Sequence, residues 1–278
     1  MRTFIAQPEH GVAWISGAST GIGHALALKL AGEGYKVAVT ARNHESLAEL
    51  QAEASGLSGS IIVLDGDVTD PEDMEHVLAS IEYEHGALAL AIFNTGVYVP
   101  VHAEEMDRAD FEKSFAVNLS GVVNCLLPAV RHMKAKGQGQ IAIVSSAAGY
   151  GGLPTGAAYG AAEAALINMA ESLKFDLDKM GIRIQIICHG FTESSLAAKN
   201  RFPMPSLVSP EKAAEQIAAG LKSSSFEVNF PKRFTLMLKL LQLMPYGIYF
   251  RLVNRWTGWR NRPLSSSGHH PATPHPAE

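Results

Sequence analysis

The sequence predicts an α/β fold: a single-domain, doubly wound parallel sheet with helices on both faces. Short, continuously apolar stretches alternate with amphipathic helical stretches between residues 12 and 221, as expected of strands buried between two helical layers. A glycine-rich turn joins the first strand to the first helix. No internal repeat or interdomain linker divides the 278 residues, a length that one α/β unit commonly fills. Right-handed crossovers then place ligands at the carboxyl ends of the strands.

The elements follow in order. Val12–Ser16 reads as a strand, followed by the glycine-rich turn and a helix over Gly21–Gly32. Val37–Thr40 is the second strand, Glu45–Ala54 a helix, and Ile61–Leu64 the third strand. Asp70-Pro71 opens the next helix, with an acid at the N-cap and proline in the first turn. Leu88–Phe93 is the fourth strand, and Phe111–Met133 a long helical stretch interrupted by Pro128. Ile141–Ser145 is the fifth strand, Ala157–Met180 an alanine-rich helix, and Arg183–Cys188 the sixth strand. Ser209-Pro210 caps a helix over Glu211–Leu221. Residues 1–228 are assigned to the domain, 229–262 to a basic amphipathic extension, and 263–278 to a disordered tail rich in Pro, Ser and His.

Composition narrows the function classes. A 47% hydrophobic content supplies a substantial core, and the net charge of −4 offers no global attraction to nucleic acid. Cys125 and Cys188 sit in apolar runs without neighbouring ligands at metal spacing. They read as buried, reduced thiols, so neither a disulfide nor a metal site is expected. The N-terminal residues lack the apolar stretch of a signal peptide, and no uninterrupted apolar run reaches membrane-spanning length. The expected location is cytoplasmic.

Between the first strand and first helix lies Ser16-Gly17-Ala18-Ser19-Thr20-Gly21-Ile22-Gly23. Glycines at 17, 21 and 23 allow a tight turn and a close backbone approach to a pyrophosphate. The helix that follows presents free N–H groups and the positive end of its dipole. A ligand-free turn is the alternative, disfavoured by the strand–turn–helix context. This stretch resembles the Thr-Gly-x-x-x-Gly-Ile-Gly fingerprint of the short-chain dehydrogenase/reductase family, with Ser16 at the Thr position. The resemblance runs from about Gly11 to about Leu221 and implies a Rossmann-type, NAD(P)-binding oxidoreductase.

Several residues carry the resemblance further. Strand 2 ends Thr40-Ala41-Arg42-Asn43 with no acid at its tip. Arg42 suits the 2′-phosphate of NADP, so NADP(H) is favoured over NAD(H); a solvated strand-end charge is the alternative. Asp67 and Val68 resemble the family's adenine-contacting pair, although alone Asp67 reads as a turn residue. Asn94-Thr95-Gly96 resembles the family's Asn-Asn-Ala-Gly motif, with Phe93 and Thr95 as departures. Ser146, Tyr159 thirteen residues later, and Asn118 match the catalytic set. By this resemblance Tyr159 exchanges the proton, Ser146 holds the carbonyl oxygen and Asn118 orders a relay water.

The family pattern is Tyr-x-x-x-Lys, and here the fifth residue is Glu163. Positions i and i+4 share a helical face, so a carboxylate replaces an ammonium beside the phenol. It raises the Tyr159 pKa instead of lowering it, while keeping acceptors for nicotinamide-ribose hydroxyls. Reduction, with tyrosine as a protonated acid, suffers less than oxidation.

After strand 6 the family's Pro-Gly is His189-Gly190. Thr192 is expected at the nicotinamide carboxamide, and Ser194 takes a family Thr position. His189 reads as structural, with a substitute base as the alternative.

Substrate is expected near Tyr98, Tyr150, Leu153 and the segment Phe191–Val208, whose Phe202, Met204 and Leu207 suggest a lipophilic alcohol or ketone. Core closure is an equal alternative. From 229 to 277 there are seven basic residues and no acid, leaving the rest of the chain at −11. Packing of 229–262 on the domain or a partner subunit is expected ahead of membrane binding. The resemblance implies a homodimer or homotetramer through the two long helices. The reading is an NADP(H)-dependent carbonyl/alcohol oxidoreductase, with a catalytically impaired dinucleotide-binding or regulatory protein as the alternative.

Overall fold

The computed structural model describes residues 4–193 and 206–264. Ser194, Phe202, Met204 and all of the expected tail except Pro263 and Leu264 lie outside the described residues.

Seven parallel strands form one sheet in the order β3-β2-β1-β4-β5-β6-β7. They are β1 (Val12–Ser16), β2 (Lys36–Thr40), β3 (Ser60–Val63), β4 (Leu88–Phe93), β5 (Gly139–Ser146), β6 (Ile182–His189) and β7 (Glu227–Phe230). The order reverses between β1 and β4, and the crevice at that point is where such sheets hold ligands. Residues of successive parity on each strand face opposite layers. Ala13, Ile15, Val37 and Val39 pack with Leu26 and Leu30 of α1 (Gly21–Gly32), Leu47 and Leu50 of α2 (His44–Glu53) and Ile217 of α7 (Pro210–Leu221). Val12, Trp14, Ile141 and Ile143 pack on the other side. There they meet α3 (Pro71–Ser80), α5 (Gly121–Lys136) and α6 (Ala157–Leu177). This is the doubly wound architecture expected of the sequence.

The helix starts are chemically marked. Asp70 accepts a hydrogen bond from Glu72 N, and Ser209 accepts one from Lys212 N. Where the structure departs from the sequence reading, the cause is local. β7 was not foreseen, and the expected domain limit at 228 falls inside it. Pro128 does not interrupt its helix: it lies buried within α5, held by packing of Cys125, Ala129 and Met133 on the sheet. The long stretch also starts earlier, as α4 (Arg108–Phe115), and passes through one π-helical turn, Ala116–Ser120, before α5. The whole run Arg108–Lys136 is long and apolar enough by composition to cross a bilayer, but its apolar side serves the core.

After β7 the chain forms α8 (Lys232–Gln242) and α9 (Tyr246–Thr257), separated at Pro245. Phe234 and Leu238 of α8 enter the core. Tyr249, Val253 and Thr257 form the buried face of α9.

Candidate active site

One cavity of about 410 Å³ opens at the carboxyl ends of β1, β4, β5 and β6. Its floor is the first β–α turn. Gly17 (φ +69°) could not carry a side chain, since a Cβ there would lie 2.8 Å from Thr95 Cα. Gly21 (φ +60°) faces open space within 4 Å. Ser19, Thr20 and Ile22 line the cavity beside these two glycines, whereas Gly23 is buried behind the turn. Thr20 occupies the N-cap of α1 without capping it through its side chain. The first N–H groups of α1 are therefore left to a ligand, and they open onto the cavity. That is the cradle a diphosphate requires.

The loop after β4 locks this floor. Asn94 Nδ2 donates to Gly17 O at 3.0 Å, and Thr95 Oγ1 donates to Ser16 Oγ at 3.0 Å. Gly96 is exposed at the cavity wall. Asn118 sits in the π-helical turn, fully buried. Its Oδ1 accepts from Val97 N at 2.7 Å and its Nδ2 donates to Val97 O at 2.8 Å. Asn118 does not line the cavity; its side chain clamps the loop that does.

At one end of the cavity stand Arg42, Asp67 and Val68. Arg42 is exposed, with its guanidinium 4.0 Å from Asp67 Oδ2. Asp67 Oδ1 also accepts from Thr69 N at 2.9 Å, so this acid holds a turn as well as facing Arg42. Val68 is buried against Gly121, and its carbonyl accepts from Asn124 Nδ2 at 2.8 Å.

At the other end stand Ser146, Tyr159 and Glu163. Glu163 is only 4% exposed. Its Oε2 accepts from Ser146 N at 2.9 Å, bending the carboxyl back to the end of β5. Burial raises its pKa to about 7, against the lowering effect of hydrogen bonds from Ser145, Ser146 and Tyr159. The Tyr159 hydroxyl lies between Ser146 and Glu163. Burial first, and the Glu163 carboxylate second, push its pKa well above the usual tyrosine value. Tyr98 packs edge-on against the Tyr159 ring at 5.3 Å.

Gly190 and Thr192 close the wall beside this group. A Cβ on Gly190 would lie 2.9 Å from Phe234 Cδ1, so α8 backs the turn directly. His189 Nδ1 lies 2.7 Å from Gly190 O, and burial lowers the imidazole pKa. The ring stacks on Phe230 at 6.4 Å, and His189 also lines the cavity.

Tyr98, Leu153 and Phe191 border the cavity as expected. Tyr150 does not: it is buried, with its hydroxyl donating to the Glu227 carboxylate, which also pairs with Lys239. Leu207 is exposed away from the cavity wall. Sequence reasoning passed over Thr155, whose Oγ1 lies 2.6 Å from Tyr98 Oη and whose φ is +62°. The only sequence signal was its place in the turn Pro154-Thr155-Gly156. Among the described residues no group of His, Cys, Asp and Glu is arranged to hold a metal ion.

The chain is similar to proteins of one family. Residues 11–204 match the short chain dehydrogenase family model. The chain is 31% identical over 245 residues to an uncharacterized oxidoreductase of Myxococcus xanthus, covering 88% of this chain and 97% of the relative. It is 32% identical over 188 residues to the 3-oxoacyl-acyl-carrier-protein reductase FabG of Escherichia coli, covering 68% and 76%. Among solved structures, a 3-ketoacyl-ACP reductase from Sinorhizobium meliloti superposes with a TM-score of 0.71 at 27% identity, covering 81% of this chain and 99% of that one. The chain belongs to the short-chain dehydrogenase family of NAD(P)(H)-binding oxidoreductases.

Proposed function

We propose that the protein is an NADP(H)-dependent oxidoreductase that reduces the carbonyl of a lipophilic small molecule. The observation that carries this reading is the meeting of Ser146, Tyr159 and Glu163 at one end of the cavity whose other end is Arg42 and the open N-terminus of α1. When bound, the dinucleotide supplies the hydride. The residues of the chain do the rest.

The α1 N–H groups and the turn Gly17–Gly21 bind the diphosphate, and Arg42 meets the 2′-phosphate with its planar fork of donors. The Arg42–Asp67 approach leaves the guanidinium at the cavity rim, where that phosphate would displace a weak, exposed ion pair. Val68 bounds the adenine end, Gly190 and Thr192 bound the nicotinamide end, and Glu163 accepts from ribose hydroxyls. Ser146 donates to the substrate oxygen while Tyr159 gives its proton to that same atom. Ser146 is buried and Tyr159 half-buried, and such partial withdrawal from water strengthens their hydrogen bonds.

Glu163 sets the direction and the pH. A phenol whose pKa is raised stays protonated, so it serves as a donor and resists acting as a base. Below about pH 7 Glu163 is itself neutral, and the tyrosinate formed after proton transfer then meets no adjacent negative charge. Reduction is therefore expected to fall as pH rises through about 7. The same carboxyl favours one second reading, a dinucleotide-binding regulatory protein with little turnover.

The substrate side is apolar, with Tyr98, Leu153 and Phe191 on its walls. The acyl-chain reductases among the relatives give a precedent for a lipophilic ketone. Leu127 and Phe175, exposed on α5 and α6, suit an assembly of copies through those two helices. The test is to titrate NADPH and NADH by nicotinamide fluorescence, then screen ketones at acid and alkaline pH. NADPH binding with turnover greatest at the acid end supports the reading. Preference for NADH removes the role of Arg42, and binding without turnover selects the second reading.

A further inference from the structure

The C-terminal helix pair presents a surface that the active site does not use. α8 is apolar on two faces. Phe234 and Leu238 point into the core, while Leu236, Leu240 and Leu243 recur at i, i+4 and i+7 on the outward side. Leu243 is 82% exposed. Beyond Pro245, Tyr246 and Phe250 stack on each other at 5.9 Å, both exposed. α8 has two apolar stripes to cover, and the domain covers one.

The charges around this surface identify what covers the other. Of the seven basic residues between 229 and 264, Lys239 pairs with Glu227 and Arg262 with Glu104. Among the described residues, Lys232, Arg233, Arg251, Arg255 and Arg260 have no carboxylate within salt-bridge distance. The segment carries no acid of its own. A second copy meeting this face about a two-fold axis would set the same cations against themselves. A surface of lipid phosphates complements them, and exposed leucine and aromatic side chains beside arginines are the composition of a helix lying in a bilayer interface.

We propose that the outward face of α8 and α9 docks on the surface of an anionic lipid bilayer. Its apolar side chains enter the boundary between headgroups and acyl chains, and Lys232, Arg233, Arg251 and Arg255 on the two helices, with Arg260 in the turn that follows, meet lipid phosphates. α9 is tied to the substrate wall: Tyr249 Oη donates to Gly152 O at 2.7 Å, next to Leu153 of the cavity lining. Docking does not rest on the dinucleotide reading, because it needs no cofactor.

The experiment is sedimentation of the full chain with vesicles of phosphatidylcholine, with and without about one-third phosphatidylglycerol. The protein is expected to sediment with the anionic vesicles and to stay in solution with the neutral ones. Leu240→Glu with Leu243→Glu, and separately Arg251→Glu with Arg255→Glu, each lower binding by more than about tenfold. Both variants change exposed side chains, so each keeps the thermal transition and the NADPH affinity of the parent. Absence of sedimentation of the folded parent with anionic vesicles overturns the proposal, as does binding that neither variant weakens. A stable dimer, detected by light scattering and abolished by Leu240→Glu with Leu243→Glu, also overturns it by making a second copy the occupant.

Discussion

Glu163 decides more than any other single side chain. It is buried, it accepts from Ser146 N, and it touches Tyr159. Glu163→Lys is predicted to raise turnover by restoring a cation beside the phenol, with binding of the dinucleotide retained; unchanged turnover would place the fault elsewhere in the site. Glu163→Gln keeps the hydrogen bond from Ser146 N and removes the charge, so its reduction rate loses the decline through about pH 7. A pH–rate profile of the two proteins side by side checks this. Arg42→Ala is predicted to weaken NADPH binding by about tenfold, worth roughly 1.4 kcal/mol, and to leave NADH binding unchanged. Equal losses for both dinucleotides would make Arg42 a general surface charge. Tyr159 and Glu163 were readable in the sequence because i and i+4 share a helical face, and Ser146 and Arg42 because they end strands at positions that resemble the family's. Asn118 was only half readable. Its position matched the family's, but its partner Val97 is brought close by a π-helical turn that no local pattern announces.

At the scale of elements, the site depends on loops held by buried polar pairs. Asn118→Ala removes both bonds to Val97 and leaves a peptide N–H without its acceptor, a cost of about 1–3 kcal/mol. Its chemical denaturation midpoint is predicted to fall, and dinucleotide affinity with it. Strands β1, β4, β5 and β6 were legible because each carries an apolar run, Val12–Ile15, Leu88–Phe93, Ile141–Val144 and Ile186–Cys188, as strands covered on both faces do. β7 was not, because Glu227-Val228-Asn229-Phe230 alternates polar and apolar residues over only four positions. Glu227 is held by pairing with Lys239 of α8 and with Tyr150, a residue far along the chain. The same distance in sequence explains Tyr150, which local reading assigned to the substrate and the fold assigns to this buried pair. Phe234 shows the reverse dependence: it belongs to the C-terminal extension yet backs Gly190 and packs at a tilt against Phe191 at 5.3 Å. Phe234→Ala is predicted to cost about 3–5 kcal/mol and to loosen the nicotinamide wall.

At the scale of the whole molecule, Glu163 also links stability to pH. Its pKa rises from 4.5 to about 7 on folding, so the native state binds the extra proton between those values. The associated stability is present below about 4.5 and is lost as pH rises through about 7, a change of about 3 kcal/mol. Glu163→Gln lacks that slope. Urea denaturation of both proteins at either end of this range is expected to show the parent losing stability relative to the variant as pH rises; parallel curves would show that the carboxyl is not protonated on folding. The uneven charge, −11 on the body and +7 at the C-terminal end, was visible from the sequence. Which apolar residues of that end stay uncovered was not, since it depends on how α8 and α9 seat on the sheet.

The most direct measurement is a fluorescence titration of the purified protein with NADPH. The account predicts saturable binding with enhanced nicotinamide emission, as the ring leaves water for the pocket between Tyr159 and Gly190. Emission that rises only in proportion to added NADPH, up to about millimolar concentration, would contradict it.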